Sequence, residues 1–343
     1  MKVLLYSDVH ISAKESIVTK YGFKYTVRLE HLINSLNWAF RTAERLGCGA
    51  TICLGDFMHK AQCTDMELTA LLDINWSNMP NYFLCGNHES SVADLRYSTV
   101  NAIAQTTNNT VISDVSKITL DSADFYFIPY ITESDRMPLS EYLTDYDANK
   151  PNYIISHNDI ADICLGGFKT ITGFSITDIE TLPNSTFLNG HLHNSGWVGK
   201  NALNIGSISG HNFTNDSYAY SYGVWILDTV TGSLDFVENP YAFNFYKIEI
   251  CTESDLDKLK LLKNNAVVSI KCEEKLVVKL REFLVDLPNI LESRIIVIKN
   301  YGEPEEDQVL DLTVDHLARF IECCKANIES TPLLDDEIAQ VCR

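Results

Sequence analysis

The chain has 343 residues, of which 45% are hydrophobic, so it is long and apolar enough for one large domain and a small one. This composition excludes a disordered chain, and the sequence contains no internal repeat, no low-complexity segment and no apolar run of the roughly 18 residues that a membrane helix needs. The formal net charge of −19 argues against a surface that binds nucleic-acid phosphates tightly by itself.

Cysteine usage and the N-terminal residues predict a cytoplasmic protein. The ten cysteines show no C-x-x-C spacing, which favours free thiols over disulfides or a zinc knot. The apolar run at residues 3–6 is soon interrupted by Asp8 and His10, so it is not expected to be a signal peptide.

Five short polar runs hold six of the nine histidines, and each run directly follows a short apolar stretch. The apolar stretches predict buried strands, so the polar runs are expected at strand ends, where loops from distant parts of the chain converge. Glycines precede polar residues in three runs and predict sharp turns with positive φ or close backbone approach. The runs are residues 7–10, 55–59, 86–89, 156–157 and 190–193, and the glycines are Gly55, Gly86 and Gly190.

The side chains in these runs are suitable metal ligands. They offer imidazole, carboxylate and one carboxamide but no thiolate, a set that suits Mn²⁺, Fe²⁺ or Zn²⁺ in a catalytic centre better than a structural zinc site. Any single run is more often a turn than a ligand set, but five in this order indicate a two-metal site. We find no Gly-rich phosphate loop and no nucleophilic Ser or Cys elbow.

The order of the runs resembles the signature of the calcineurin-like metallophosphoesterases, D-x-H, G-D-x-x, G-N-H-[DE], a lone His and G-H-x-H, over roughly residues 1 to 240. The resemblance implies an α/β fold, a four-layer α-β-β-α sandwich, with two divalent metal ions. Mn²⁺ is the first choice, and Fe²⁺, Zn²⁺ or Mg²⁺ are alternatives. It further implies one ion on Asp8, His10 and His193, a second on Asn87, His157 and His191, and Asp56 as the bridge between them.

The same resemblance implies catalytic roles for His88 and His59. The histidine after the Asn faces the scissile phosphate in this family, where an imidazole stabilises charge or protonates the leaving oxygen. The run that ends at His59 lacks the Val-Asp-Arg-Gly stretch of protein Ser/Thr phosphatases and is similar to the Gly-Asp-Leu-Phe-His run of the Mre11 and SbcD nucleases. His59 is therefore a second substrate-side candidate, with a helix-start or solvent-facing histidine as the alternative. Glu89 stands where the family usually has Asp, which counts slightly against a nuclease.

Beyond the last motif the chain continues for about 100 residues, and a break at residues 238–241 predicts a domain boundary near residue 242. The predicted domains are a metallophosphoesterase domain at 1–242, a small α/β domain at 243–308 and a helical segment at 309–343. The pattern predicts strands at 266–270 and 294–299 and a helix at 274–286. This order resembles the capping, DNA-end-binding domain of SbcD/Mre11 proteins, although a generic α/β appendage is an equal alternative.

Two amphipathic stretches are candidate partner-binding surfaces. Residues 26–46 carry an apolar stripe that fits either packing on the sheet or a homodimer face, as the resemblance suggests. The stripe within residues 309–343 fits either docking on a Rad50/SbcC-like ATPase or packing on its own domain.

Three histidines lie outside the motifs, and residues 130–151 form an acidic and Tyr-rich insertion before His157. We expect a surface helix and loop in the insertion, with Pro138 at the helix start. His211 is predicted to be a core or turn histidine, and we assign no chemistry to His31 and His316.

The resulting hypothesis is a Mn-dependent DNA nuclease subunit of the Mre11/SbcD type, an exonuclease or endonuclease that hydrolyses phosphodiester bonds by a two-metal mechanism. Its expected partners are single- or double-stranded DNA ends and a Rad50/SbcC-like ATPase, in DNA repair, recombination or replication, and no membrane. The compact acidic chain resembles phage or bacterial versions, which would place it in the cytoplasm, or in the host cytoplasm if phage-encoded. The alternatives are a phosphodiesterase or phosphatase for a small phosphoester and a metal-binding scaffold for the ATPase.

Overall fold

The computed structural model describes residues 1–13, 22–90, 98–105, 108–165, 168–213 and 217–298. The chain divides into one compact unit from Met1 to Ile298 and a second from Lys299 to Arg343, and the second lies outside the described residues. The predicted helical segment at 309–343 and the last residues of the predicted small domain therefore stay predictions.

The described chain folds into many short strands with helices between some of them, and the strands predicted from the buried apolar stretches are present. The first elements are β1 (Lys2–Tyr6), α1 (Val27–Arg45), β2 (Cys48–Cys53), α2 (Asp65–Leu71), β3 (Asn81–Leu84), α3 (Val100–Ala104), β4 (Asn109–Ile112), β5 (Ser116–Leu120) and β6 (Ala123–Ile128). A 3₁₀ helix (Leu139–Tyr142) leads to β7 (Asn152–Ser156), β8 (Ile160–Ala161), β9 (Cys164–Leu165), β10 (Phe168–Lys169), β11 (Phe174–Ser175), α4 (Ile176–Thr181), β12 (Ser185–Asn189), β13 (Gly196–Trp197), β14 (Ala202–Asn204), β15 (Gly223–Asp228) and β16 (Leu234–Glu238). The last elements are β17 (Asn244–Ile250), a 3₁₀ helix (Glu253–Leu261), β18 (Ala266–Glu273), a 3₁₀ turn (Glu274–Leu276), α5 (Val277–Val285) and β19 (Ile290–Ile298).

Two six-stranded sheets form the main body. The first has the order β16-β15-β1-β2-β3-β4, and the second has the order β13-β14-β12-β7-β6-β5. The central strands of each sheet are parallel, with Leu5 opposite Ile52 in the first sheet and Phe125 opposite Tyr153 in the second. Because parallel strands end at the same edge, the loops after β1, β2 and β3 share one edge, as do those after β7 and β12.

Alternating side chains along β1 show the layer order. Leu4 and Tyr6 belong to a buried cluster with Leu32 and Phe40 of α1. Val3 and Leu5 point the other way and pack with Phe125, Ile155 and Leu188 of the second sheet. The outer face of the second sheet packs against the first 3₁₀ helix and α4 through Tyr142 and Ile179. The expected four-layer α-β-β-α sandwich is therefore confirmed.

Helix α1 occupies nearly the predicted range, and its stripe is buried against the first sheet. Thr26 caps the helix by accepting a hydrogen bond from the Leu29 amide at 3.3 Å. Packing on the sheet thus accounts for the stripe, and a homodimer stays a prediction. In the insertion before His157, the 3₁₀ helix starts directly after Pro138, as expected.

A third sheet, parallel and in the order β17-β18-β19, begins at Asn244 and has its own buried cluster, which includes Val268, Ile270 and Leu280 of α5. The strands and helix predicted for this region are present, and the small α/β appendage is confirmed as an architecture. Its role as a cap, and the exact domain limits, stay predictions.

The seven cysteines within the described ranges are free thiols. Among the helices of that same part of the chain, none combines the length and the apolar character that crossing a membrane requires.

Candidate metal centre

The predicted site residues come together at the carboxyl ends of five strands. Asp8 and His10 follow β1, Asp56 follows β2, and Asn87 follows β3 of the first sheet. His157 follows β7, and His191 and His193 follow β12 of the second sheet. The convergence of distant loops expected from the sequence is thus present, across both sheets.

Asp56 lies between two groups of ligand atoms. Its Oδ2 is 3.6 Å from His10 Nε2 and 3.3 Å from His157 Nε2. Ligand atoms of Asp8, His10 and Asp56 all lie within 4.8 Å of one another, and so do those of Asp56, His157 and His191. One carboxylate is therefore placed to contribute to two cation sites.

The first group contains Asp8, His10 and His193. His10 Nε2 is 3.2 Å from His193 Nε2, and Asp8 Oδ1 is 3.8 Å from each of these nitrogens. Asp8 is fully buried, and its Oδ1 has no hydrogen-bond partner among the described residues. A buried carboxylate oxygen without a partner is costly unless a cation compensates it, so this group fits a divalent metal ion.

The second group contains Asn87, His157 and His191. Asn87 Oδ1 is 3.2 Å from His157 Nε2 and 3.1 Å from His191 Nδ1. His157 Nδ1 donates a hydrogen bond to the Leu54 carbonyl oxygen at 2.6 Å, which orients Nε2 toward Asp56 and Asn87. A backbone acceptor behind a ligand histidine is the usual arrangement in metal sites.

The electrostatics of Asp56 and His157 also favour a cation. Burial alone would raise the pKa of Asp56, but the adjacent His157 and His88 lower it to about 2. Burial alone would lower the pKa of His157, but Asp56 raises it to about 9. The pair thus holds a proton tightly, and a divalent ion bound between these side chains would compete with that proton.

Four of the proposed ligands have a left-handed backbone, which is uncommon for residues other than glycine. The φ angles are +51° for Asp8, +49° for His10, +49° for Asp56 and +73° for His191. Backbone hydrogen bonds hold the strained loops, from Asp8 N to Gly55 O at 3.0 Å and from His10 N to Asp56 O at 2.9 Å. Such strain costs on the order of 1–3 kcal/mol per residue and concentrates at functional sites.

The three motif glycines behave as predicted. Gly55 has a φ of +104°. A Cβ atom on Gly86 would lie 2.2 Å from Asp56 Oδ1, and one on Gly190 would lie 2.3 Å from Ser7 Oγ. The loops approach one another too closely for any side chain at these positions.

His88 lies beside Asp56, and His59 lies next to His88. The His88 amide donates to Asp56 Oδ1 at 3.0 Å, and its Nε2 is 3.8 Å from Asp56 Oδ2. His88 Nδ1 donates to the backbone carbonyl of His59, and the His59 side chain reaches His10, with 3.4 Å between the two Nδ1 atoms. Because α2 starts only at Asp65, His59 is not at a helix start. The catalytic roles of both histidines stay predictions.

Sequence reasoning gave no role to Glu89 and Asp159. Glu89 is fully buried, accepts hydrogen bonds from three backbone amides around Asp56, and has its pKa raised to about 7 by burial and by Asp56.

Asp159 Oδ1 lies 3.4 Å from His191 Nε2, where it orients that ring. The position of Asp159 two residues after His157 was the available signal.

No family model matches the chain, and no curated protein matches it. Among solved structures, a dimetal phosphatase from Danio rerio has 11% identity and a TM-score of 0.39, covering 66% of this chain and 91% of its own. The protein TT1561 of Thermus thermophilus has 13% identity and a TM-score of 0.41, covering 69% of this chain and 98% of its own. At these scores neither likeness indicates what this chain binds or cleaves.

Proposed function

We propose that this chain is a two-metal phosphoesterase that hydrolyses phosphodiester bonds in DNA. The observation that carries the proposal is the position of Asp56, shared by two groups of ligand atoms with His88 beside it. One ion would be held by Asp8, His10 and His193, the other by Asn87, His157 and His191, with Asp56 common to both. Two divalent ions there would supply Lewis-acid activation of water and of the phosphoryl group.

His88 is the residue we assign to proton transfer. Its side chain is 32% exposed and therefore accessible to a substrate at the centre. Because Nδ1 donates to the His59 carbonyl oxygen, Nε2 lies on the side of Asp56. As an imidazolium with protons on both nitrogens, His88 could give its Nε2 proton to the leaving oxygen or stabilise charge on the phosphoryl oxygens.

The choice of DNA as substrate is supported by the resemblance of the Asp56–His59 run to Mre11 and SbcD nucleases and by the position of His59. The His59 ring centroid is 5.0 Å from that of His88, so both histidines would face the same substrate. The third sheet then corresponds to the capping domain of those nucleases. We propose exonuclease or endonuclease activity with Mn²⁺ in DNA repair, recombination or replication.

A Rad50/SbcC-like ATPase is the proposed partner. With a net charge of −19, the chain lacks the overall attraction to DNA that nucleases acting alone usually have. A partner that binds the DNA would supply this attraction. The support for this proposed partnership is the resemblance together with the acidic charge.

The acidic charge also favours a second candidate, a phosphodiesterase or phosphatase for a small phosphoester. Such a substrate needs no extended basic surface. A metal-binding scaffold without activity is disfavoured, since a scaffold has no use for His88 beside the shared carboxylate.

The test is Mn²⁺-dependent cleavage of end-labelled single- and double-stranded DNA by the wild type and by His88→Ala, with and without the ATPase. The nuclease proposal expects cleavage that the substitution abolishes. Hydrolysis of bis-p-nitrophenyl phosphate without any DNA cleavage would overturn it and support the second candidate.

A further inference from the structure

We propose that His211 is a positioning residue for one of the two metal sites, and that Arg28 fixes which nitrogen of its ring carries the proton. The inference rests on the two-metal site proposed above. It concerns only the ion assigned to Asp8, His10 and His193.

His211 contacts the backbone of Asp8 directly. Its Nε2 lies 2.7 Å from the Asp8 carbonyl oxygen, and the ring is buried. Asp8 has a left-handed backbone, so the orientation of its carboxylate depends on how its two peptide groups are held. The Asp8 amide is held by Gly55 O, and the carbonyl is held by His211.

Arg28 contacts the other ring nitrogen of His211 and keeps it unprotonated, as a donor hydrogen bond from Nε2 to the Asp8 carbonyl requires. Arg28 Nη2 lies 3.0 Å from His211 Nδ1. A guanidinium only donates, so His211 Nδ1 must accept, and the ring proton is on Nε2, where it is donated to Asp8. Burial lowers the pKa of Arg28 to about 10, which leaves the guanidinium charged at neutral pH.

Arg28 is an unusual residue for a merely structural position. It is buried, and its Nε and Nη1 make no hydrogen bond with the residues that the structure describes. Leaving two nitrogens of a buried cation unpaired is costly. The hydrogen bond to His211 Nδ1 explains why a cation stands here, which apolar packing would not require.

The His211 ring also touches both histidines of the same group. Its centroid is 4.7 Å from that of His10 and 4.6 Å from that of His193, both in edge-to-face arrangements. One side chain therefore contacts all three residues assigned to the first ion. Loss of such an outer contact typically weakens metal binding about 10–100-fold.

The experiment is a calorimetric titration of the full chain with Mn²⁺ alone, for the wild type, His211→Ala, His211→Gln and Arg28→Met. We expect the wild type to bind two ions and His211→Ala to bind one of them about 10–100-fold more weakly. His211→Gln should recover part of the loss, because its amide nitrogen can donate where Nε2 does. Arg28→Met should lie between the wild type and His211→Ala.

His31→Ala is the matched control. His31 Nδ1 also lies near a backbone carbonyl, that of Tyr241 at 3.2 Å, and its ring stacks on Phe243, which is not a proposed ligand. We expect unchanged Mn²⁺ binding in this variant. Circular dichroism checks folding. If His211→Ala does not fold, the Mn²⁺ affinities of His211→Gln and Arg28→Met test the inference.

Two results would overturn the inference: wild-type affinity at both sites in the His211 variants, or an equal loss at both sites. Failure of the wild type to bind two ions would overturn the proposed function itself, and is read from the wild type alone. The two failures are therefore distinguishable.

Discussion

Glu89 Oε1 accepts a hydrogen bond from the backbone amide of Met58 at 2.7 Å, which ties the loop after β3 to the loop after β2. Glu89 Oε2 accepts from the amides of Asp56 at 3.1 Å and Gly86 at 2.9 Å. A single buried carboxylate thus holds the backbone around Asp56, the residue proposed to bind both ions.

Glu89→Ala should therefore destabilise the protein as well as distort the site. Three buried amides would lose their acceptor, so we expect the free energy of unfolding to fall by at least about 2 kcal/mol. Urea unfolding in EDTA measures this. The control is Glu282→Ala on the exposed surface of α5, which should change stability by less than about 0.5 kcal/mol. Equal effects of the two substitutions would contradict the assigned role.

His88→Ala should lower turnover without weakening Mn²⁺ binding. If His88 protonates the leaving oxygen, DNA cleavage should fall by about 10²–10⁴-fold. The loss with bis-p-nitrophenyl phosphate should be smaller, because nitrophenolate leaves without a proton. Steady-state rates on both substrates at saturating Mn²⁺ give the comparison, and equal losses would contradict the leaving-group role.

Gly190→Ala should disturb the meeting point of three strands. The new Cβ would lie 2.3 Å from Ser7 Oγ, 2.5 Å from the Leu54 carbonyl oxygen and 2.8 Å from His157 Nδ1. We expect a loss of about 1–3 kcal/mol in thermal or urea unfolding, from overpacking. Gly49→Ala is the comparison, since the atoms nearest its Cβ would be those of the flexible Met1 side chain. A Gly190→Ala variant as stable as Gly49→Ala would show that the described approach of the loops is wrong.

DNA affinity should depend on the metal. At a net charge of −19 the metal-free chain is expected to bind duplex DNA weakly at physiological salt. Divalent ions bound at the proposed centre would reverse its local charge, so affinity should rise with Mn²⁺. Fluorescence anisotropy with His88→Ala, which should not consume the DNA, measures both conditions. Tight binding in EDTA would contradict this expectation.

The sequence predicted the parts of the fold that depend on local pattern. The apolar stretches form the strands before each motif, and the stripe of residues 26–46 lies on α1. Both were predictable because burial of one face of an element sets the spacing of its apolar residues. The short strands β8 to β11 were not predicted, since two-residue pairings depend on tertiary contacts rather than on any periodic signal.

The site was predictable where its residues lie within motifs, and the order of the runs brought together Asp56, His157 and the other proposed ligands. The supporting residues were not predictable in the same way. Glu89 accepts hydrogen bonds from amides 31 and 33 residues away, and Arg28 donates one to a histidine 183 positions later. No spacing between nearby residues indicates either contact. His211 was predicted to be a core or turn histidine and is buried, but its contacts with the proposed ligands appear only once β15 and β1 pair and the loops are folded.

The most direct test of the two-metal centre is the number and coupling of bound Mn²⁺ ions, measured by metal analysis and electron paramagnetic resonance on the wild type and on Asp56→Asn. We predict two ions per wild-type chain with an exchange-coupled signal, and loss of the coupling together with at least one ion in Asp56→Asn, because the shared carboxylate is removed. A single isolated Mn²⁺ in the wild type, or a coupled pair that survives in Asp56→Asn, would contradict the account.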